Sequence, residues 1–121
     1  MPEVTVLHNP RCSTSRAAMD EAARAGVPVQ EVRYLDHPLD HHQLLELVDR
    51  LDDPVTDLVR RDAYFTSLGL TDDDVRTADQ VVALLAEHPR LMQRPVLVRG
   101  EHAIVGRPKE RVAEFLAESA L

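Results

Sequence analysis

An α/β fold with four strands is predicted for this chain by three observations. An apolar run, a capped helical stretch and an alternating run fit within the first 34 residues. A long middle stretch then carries its apolar residues at helical spacing. The last third returns to two strand-like runs around a glycine, followed by an amphipathic helix. The order is β-α-β, a helical block, and β-β-α.

Each element has its own local reason. Residues 4–7, Val-Thr-Val-Leu, are mainly apolar and β-branched, and Pro10 ends any ladder shortly after them. From Ser13 the chain offers Ser and Thr as caps, then strong helix formers, then Gly26 as a stop. Residues 29–34 alternate and predict a second strand, completing a right-handed βαβ unit. Leu44, Leu45, Leu47, Val48 and Leu51 form a helical face. The Asp53-Pro54 pair then reads as an N-cap with proline at the first helical position, opening a helix with Val55, Leu58 and Val59 toward Arg60. The acidic run Asp72-Asp73-Asp74 reads as a solvated helix start, and Val81, Val82, Leu84 and Leu85 give a further apolar face ending at His88-Pro89. Residues 95–99 and 102–106 read as a hairpin turning at Gly100, and Arg107-Pro108 opens a last helix with Val112, Phe115 and Leu116 on one face. This order matches a thioredoxin-like fold: one domain over residues 1–121, with a four-stranded mixed sheet and a helical insertion at about residues 40–90 between the βαβ and ββα halves.

Composition narrows the function. The chain of 121 residues has 14 Lys+Arg against 21 Asp+Glu, a net charge of −7. That balance argues against a nucleic-acid partner, which calls for a basic excess. No apolar run approaches a membrane span, and the N-terminus lacks the basic and apolar segments of a secretory signal, so a soluble, cytoplasmic protein is expected, with monomer as the default state. The single cysteine excludes an internal disulfide. A metal site is not expected: His37, His41 and His42 lack a Cys partner or a clean helical His pair, and the Asp72-Asp73-Asp74 run lacks the glycine and terminal glutamate of a calcium loop.

The cysteine stands in the stretch His8-Asn9-Pro10-Arg11-Cys12-Ser13-Thr14-Ser15-Arg16, between a strand's carboxyl end and a helix's amino end. There, backbone N–H groups and the helix dipole favour a thiolate. A thiol of pKa about 8.5 is only about 3% ionised at pH 7, and about 75% ionised if its pKa falls to about 6.5. That shift requires about 2.7 kcal/mol, whereas a helix terminus contributes about 0.3–1 kcal/mol. Further positive charge is needed, and Arg11, Arg16 and His8 are the local candidates.

This stretch resembles the active-site motif of the glutaredoxin-linked arsenate reductases (ArsC-, Spx- and YffB-like proteins of thioredoxin-like fold), His-Asn-Pro-x-Cys-x-x-Ser-Arg. It is complete here as His8, Asn9, Pro10, Cys12, Ser15 and Arg16. Tyr34-Leu35 with Pro38, Leu58-Val59-Arg60-Arg61, Leu68-Gly69-Leu70, His88-Pro89, Arg94-Pro95 and Arg107-Pro108 follow in the family's order. The resemblance implies a nucleophilic Cys12 and three arginines, Arg60, Arg94 and Arg107, that bind the arsenate oxyanion. His8 and Ser15 would tune the thiol, while Asn9 and Arg16 support the loop. Guanidinium forks suit a tetrahedral oxyanion and stay charged. It further implies a cis peptide at Arg94-Pro95 that turns Arg94 toward Cys12. No tightly bound cofactor is implied. With no second cysteine, electrons would come from glutathione or another low-molecular-weight thiol, and then from a glutaredoxin-like protein.

Other readings are weighed beside it. Arg11, Arg33, Arg50, Arg61, Arg76, Arg90, Arg99 and Arg111 read as solvated surface residues. A phosphatase-type loop would need arginine where Ala18 stands, and a redox Cys-x-x-Cys would need cysteine where Ser15 stands. A regulator resembling the Spx proteins, which bind RNA polymerase and often carry that Cys-x-x-Cys, is the alternative from a different class. A thiol oxidoreductase acting on another substrate is the third.

Overall fold

The computed structural model describes residues 4–119. Four strands, β1 (Val4–Leu7), β2 (Val29–Val32), β3 (Val96–Arg99) and β4 (His102–Val105), form one sheet in the order β2-β1-β3-β4. β1 runs parallel to β2 and antiparallel to β3, and β3 and β4 form the expected hairpin. The sheet is thus mixed. Helices α1 (Ser13–Ala25), α2 (His41–Arg50), α3 (Ala63–Ser67), α4 (Ala78–Glu87) and α5 (Glu110–Ser119) surround it, with α2, α3 and α4 falling between β2 and β3.

Strand alternation splits the core into two layers. Val4, Val6, Leu97 and Ile104 pack with Ala18 and Ala22 of α1 and with Val112, Phe115 and Leu116 of α5. Leu7, Val96, Ala103 and Val105 face the other way, onto Leu44 and Leu47 of α2, Phe65 of α3, and Val81, Val82 and Leu85 of α4. Period-two strands meeting helices on both faces is the packing that the apolar pattern requires. Each fully buried Leu or Val contributes about 1.5–3 kcal/mol to holding the layers together.

Local chemistry sets the helix ends. α1 stops at Gly26, whose φ of 69° is the left-handed conformation that favours glycine, and its N–H reaches Ala22 O and Ala23 O. Asp40 and Gln43 form a capping box on α2, and Thr77 and Gln80 form one on α4. The acidic run is a separate 3-10 turn, Asp72–Val75, capped by Thr71, and is not the start of α4.

Three expectations need correction. The strand expected over residues 29–34 ends at Val32: Asp36 N–H and His37 N–H both donate to Arg33 O (3.0 and 2.9 Å), so the chain turns and Tyr34 leaves the ladder. Asp53 is not an N-cap and Pro54 opens no α-helix; only a 3-10 turn, Val55–Leu58, follows. Asp53 is drawn away by a stronger partner, because its carboxylate accepts Val105 N–H at 2.8 Å and Arg111 at 2.7 and 3.0 Å. Arg111 is therefore no solvated surface residue. Arg61 stays exposed as expected, although it donates to Val59 O and Thr56 O and faces Asp72.

One contact extends the sheet at its margin, and a second pairs two segments outside it. Leu51 bridges Ala103, and Asp52 N–H donates to Ala103 O at 2.8 Å, covering the outer edge of β4. Farther along, Val59 bridges Met92, flanked by Arg60 N–H to Leu91 O (2.8 Å) and Gln93 N–H to Leu58 O (2.7 Å). That short ladder holds Arg60 beside the segment that leads to Arg94.

Candidate active site

Pairing places Val32, Leu7, Val96 and Val105 in one row across the four strands. Two residues beyond that row, at the same end of the sheet, stand Tyr34 after β2, Asn9 after β1, Arg94 before β3 and Arg107 after β4. The topology therefore gathers residues that are as much as 98 positions apart in sequence, from Asn9 to Arg107.

The loop after β1 is tightly built. His8 N–H continues the pairing to Val32 O at 2.8 Å, Arg11 N–H donates to the Asn9 side-chain oxygen at 3.0 Å, and Cys12 N–H donates to Asn9 O at 3.0 Å. Arg16 reaches back to Pro10 O at 3.0 Å. Ser15 is fully buried, and its Oγ accepts Asn9 N–H at 3.0 Å and lies 2.6 Å from His8 Nδ1. On the far side of the ring, His8 Nε2 is 3.5 Å from Glu31, which Arg33 also approaches at 3.4 Å. Burial lowers the pKa of His8 despite the Glu31 charge, with Arg33 and Arg16 adding to the lowering. The neutral ring so favoured accepts from the Ser15 hydroxyl at Nδ1 and turns Nε2–H to Glu31.

Cys12 occupies the N-cap position of α1 with extended backbone. Burial pushes its pKa up, but the Ser15 backbone N–H, the Arg94 guanidinium and the Thr14 N–H outweigh it, and the thiol lies below its ordinary value. Arg107 Nη2 also lies 3.5 Å from the sulfur, while Arg107 Nε donates to Arg94 O at 2.8 Å. One arginine thus braces the other against the thiol. Arg94–Pro95 is cis as expected, and Arg107–Pro108 is cis as well, which the sequence reading did not anticipate.

Arg60 stands differently from the other two. Its Nη1 lies 3.6 Å from Asp62, and its charge acts on the Tyr34 phenol. Sequence reasoning missed Asp62, which doubles as the N-cap of α3 by accepting Phe65 N–H at 3.0 Å. It also assigned no role to Tyr34, which is 1% exposed in the structure. Behind Arg107 opens a polar cavity of about 370 Å³ bordered by Asp57, Arg61, Gln93 and Arg111. Among the described residues, no three His, Cys, Asp or Glu side chains group as a metal site, and no helix is long and apolar enough to cross a membrane.

A low-pKa thiol flanked by two guanidiniums can hold a tetrahedral anion and attack its central atom. The ArsC family model matches residues 7–115. An arsenate reductase of Neisseria meningitidis serogroup B is 35% identical over 118 residues, 96% of this chain and 100% of the relative. One from Escherichia coli is 31% identical over 120 residues, 98% of this chain and 84% of its own. The solved structure of an arsenate reductase from Vibrio cholerae superposes with a TM-score of 0.82 at 32% identity, covering 93% of this chain and 97% of that one. The chain belongs to the ArsC family and has its thioredoxin-like fold.

Proposed function

We propose that this protein is an arsenate reductase in which Cys12 is the nucleophile and Arg60, Arg94 and Arg107 bind the oxyanion. The observation that carries the reading is the Cys12 thiol, lowered in pKa at the amino end of α1, with Arg107 at 3.5 Å and Arg94 beside it. Condensation of the thiol with dihydrogen arsenate forms an S–As bond and releases one water, with no change of oxidation state. Reduction needs two electrons. A second thiol attacks the Cys12 sulfur, the S–As bond breaks toward arsenic, and arsenite leaves as the two sulfurs join in a mixed disulfide. Because the chain has one cysteine, that second thiol is external, glutathione or another small thiol. A glutaredoxin-like protein then restores Cys12 by thiol exchange. In this reading His8 and Ser15 set the thiol's position, Asn9 and Arg16 hold the loop, and the protein acts as a monomer in the cytoplasm, where small thiols are kept reduced.

The test is arsenate-dependent NADPH oxidation coupled through a small thiol, a glutaredoxin and its reductase, run with several thiols and redoxins. Turnover is expected with at least one pair and is expected to vanish in Cys12→Ser. Normal turnover by Cys12→Ser would remove the assigned nucleophile. Silence with every pair would remove the activity.

A further inference from the structure

Two buried polar atoms at the active end of the sheet lack hydrogen-bond partners, the Tyr34 hydroxyl and Arg94 Nε. Native proteins satisfy nearly all such groups, and each exception calls for an explanation. The two lie together: the phenol's electrostatic neighbours are Arg94, Cys12 and Arg60, Arg94 being the strongest and within hydrogen-bonding reach of the phenol, though at a geometry that leaves the phenol's own proton and Arg94 Nε without a well-formed bond.

The backbone shows why Tyr34 is there. It stands two residues past Val32, just as Arg94 and Arg107 stand two residues from Val96 and Val105 in the same row. Its ring is packed among buried core residues, 1% exposed, so the hydroxyl is aimed by a rigid support. An arginine Nε–H is only a donor. The phenol oxygen can accept from Arg94, so what the pair lacks is an acceptor for the phenol's own proton, and an oxyanion oxygen, with several lone pairs, supplies it while also accepting from Arg94.

We propose that Tyr34 is an oxyanion-binding residue, its phenol donating O–H to a ligand oxygen that Arg94 also holds. The inference rests on the proposed oxyanion chemistry at Cys12. Both atoms are buried, so binding requires the Arg94 side chain to turn and let the anion in. Burial raises the phenol's pKa, which keeps it a protonated donor through neutral pH.

Tyr34→Phe isolates the hydroxyl, because it keeps the ring and removes one oxygen. If that oxygen waits for a ligand, the variant unfolds at the same or a higher urea midpoint than the parent, since an unpaired buried group is deleted. The binding arm uses Cys12→Ser, which cannot form the S–As bond, titrated calorimetrically with arsenate, phosphate and sulfate. Adding Tyr34→Phe to it is expected to weaken arsenate binding about tenfold or more. A lowered urea midpoint would show that the hydroxyl serves the fold and would overturn the inference. Equal affinity with and without the hydroxyl would overturn it while leaving the oxyanion reading intact. Absence of binding by the Cys12→Ser parent to all three anions would remove both.

Discussion

Asp53→Asn tests the pairing that local sequence misread. In the folded chain Asp53 has a side chain 12% exposed and receives two bonds from Arg111 and one from Val105 N–H. The substitution keeps the shape, removes the charge and turns an NH2 group toward donors that need an acceptor. Breaking a buried ion pair by removing one partner costs about 3–5 kcal/mol, but Arg111 is 34% exposed, so water compensates part of the loss and about 2–3 kcal/mol is expected. With a urea m-value of about 1.5 kcal/mol/M, the midpoint at pH 7 should fall by about 1.5 M at unchanged m. The pH dependence follows from the same contacts. Burial raises the Asp53 pKa, but Arg111 and the Val105 N–H more than reverse it, so the folded value lies below the unfolded one. The stabilisation is therefore complete above about pH 3.9 and is lost as pH falls through the lower folded value, where wild type and variant converge. A midpoint within about 0.3 M of wild type at pH 7, or a gap as wide at the acid end as at pH 7, would refute the reasoning.

Two further outcomes are expected. A Cβ on Gly106 would lie 2.9 Å from Leu97 Cδ1, 2.9 Å from Pro95 Cγ and 3.0 Å from Val112 Cγ2, so Gly106→Ala should destabilise by about 1–3 kcal/mol in urea unfolding, and an unchanged midpoint would contradict that packing. Arg94→Gln removes a charge that lowers the Cys12 pKa, so thiolate absorbance near 240 nm, followed against pH, should titrate at a higher pH than in wild type; an unmoved curve would mean that Arg94 does not act on the sulfur.

What could be read from the chain depended on how far apart the cooperating residues lie. β1, α1 and the Cys12 loop occupy contiguous residues whose caps, proline and glycine speak for themselves, and all were legible. The hairpin was legible for the same reason. Arg94 and Arg107 became legible only through a family pattern, since nothing local distinguishes them from Arg99 or Arg111. Asp53 misled because Asp-Pro is a sound helix-start signal, and its true partner stands 58 residues away. Tyr34 was hidden by the alternation that marked it as one more strand residue; its importance lies in overshooting the strand by two positions. Asp62 went unread, although it caps α3 and also claims the Arg60 guanidinium across two residues.

The short pairing of residues 58–60 with 91–93 has a consequence for how this domain can vary. The chain departs from that pairing after Arg60 and comes back to it at Leu91, so residues 61–90 form an excursion with a closed neck. Whatever its length or content, the excursion begins and ends at the same two backbone strands. Arg60 stands on one of them and Arg94 directly follows the other. Residues 66–69 are exposed and could be lengthened without moving either guanidinium, whereas farther along Val75 is fully buried and Thr77 caps α4.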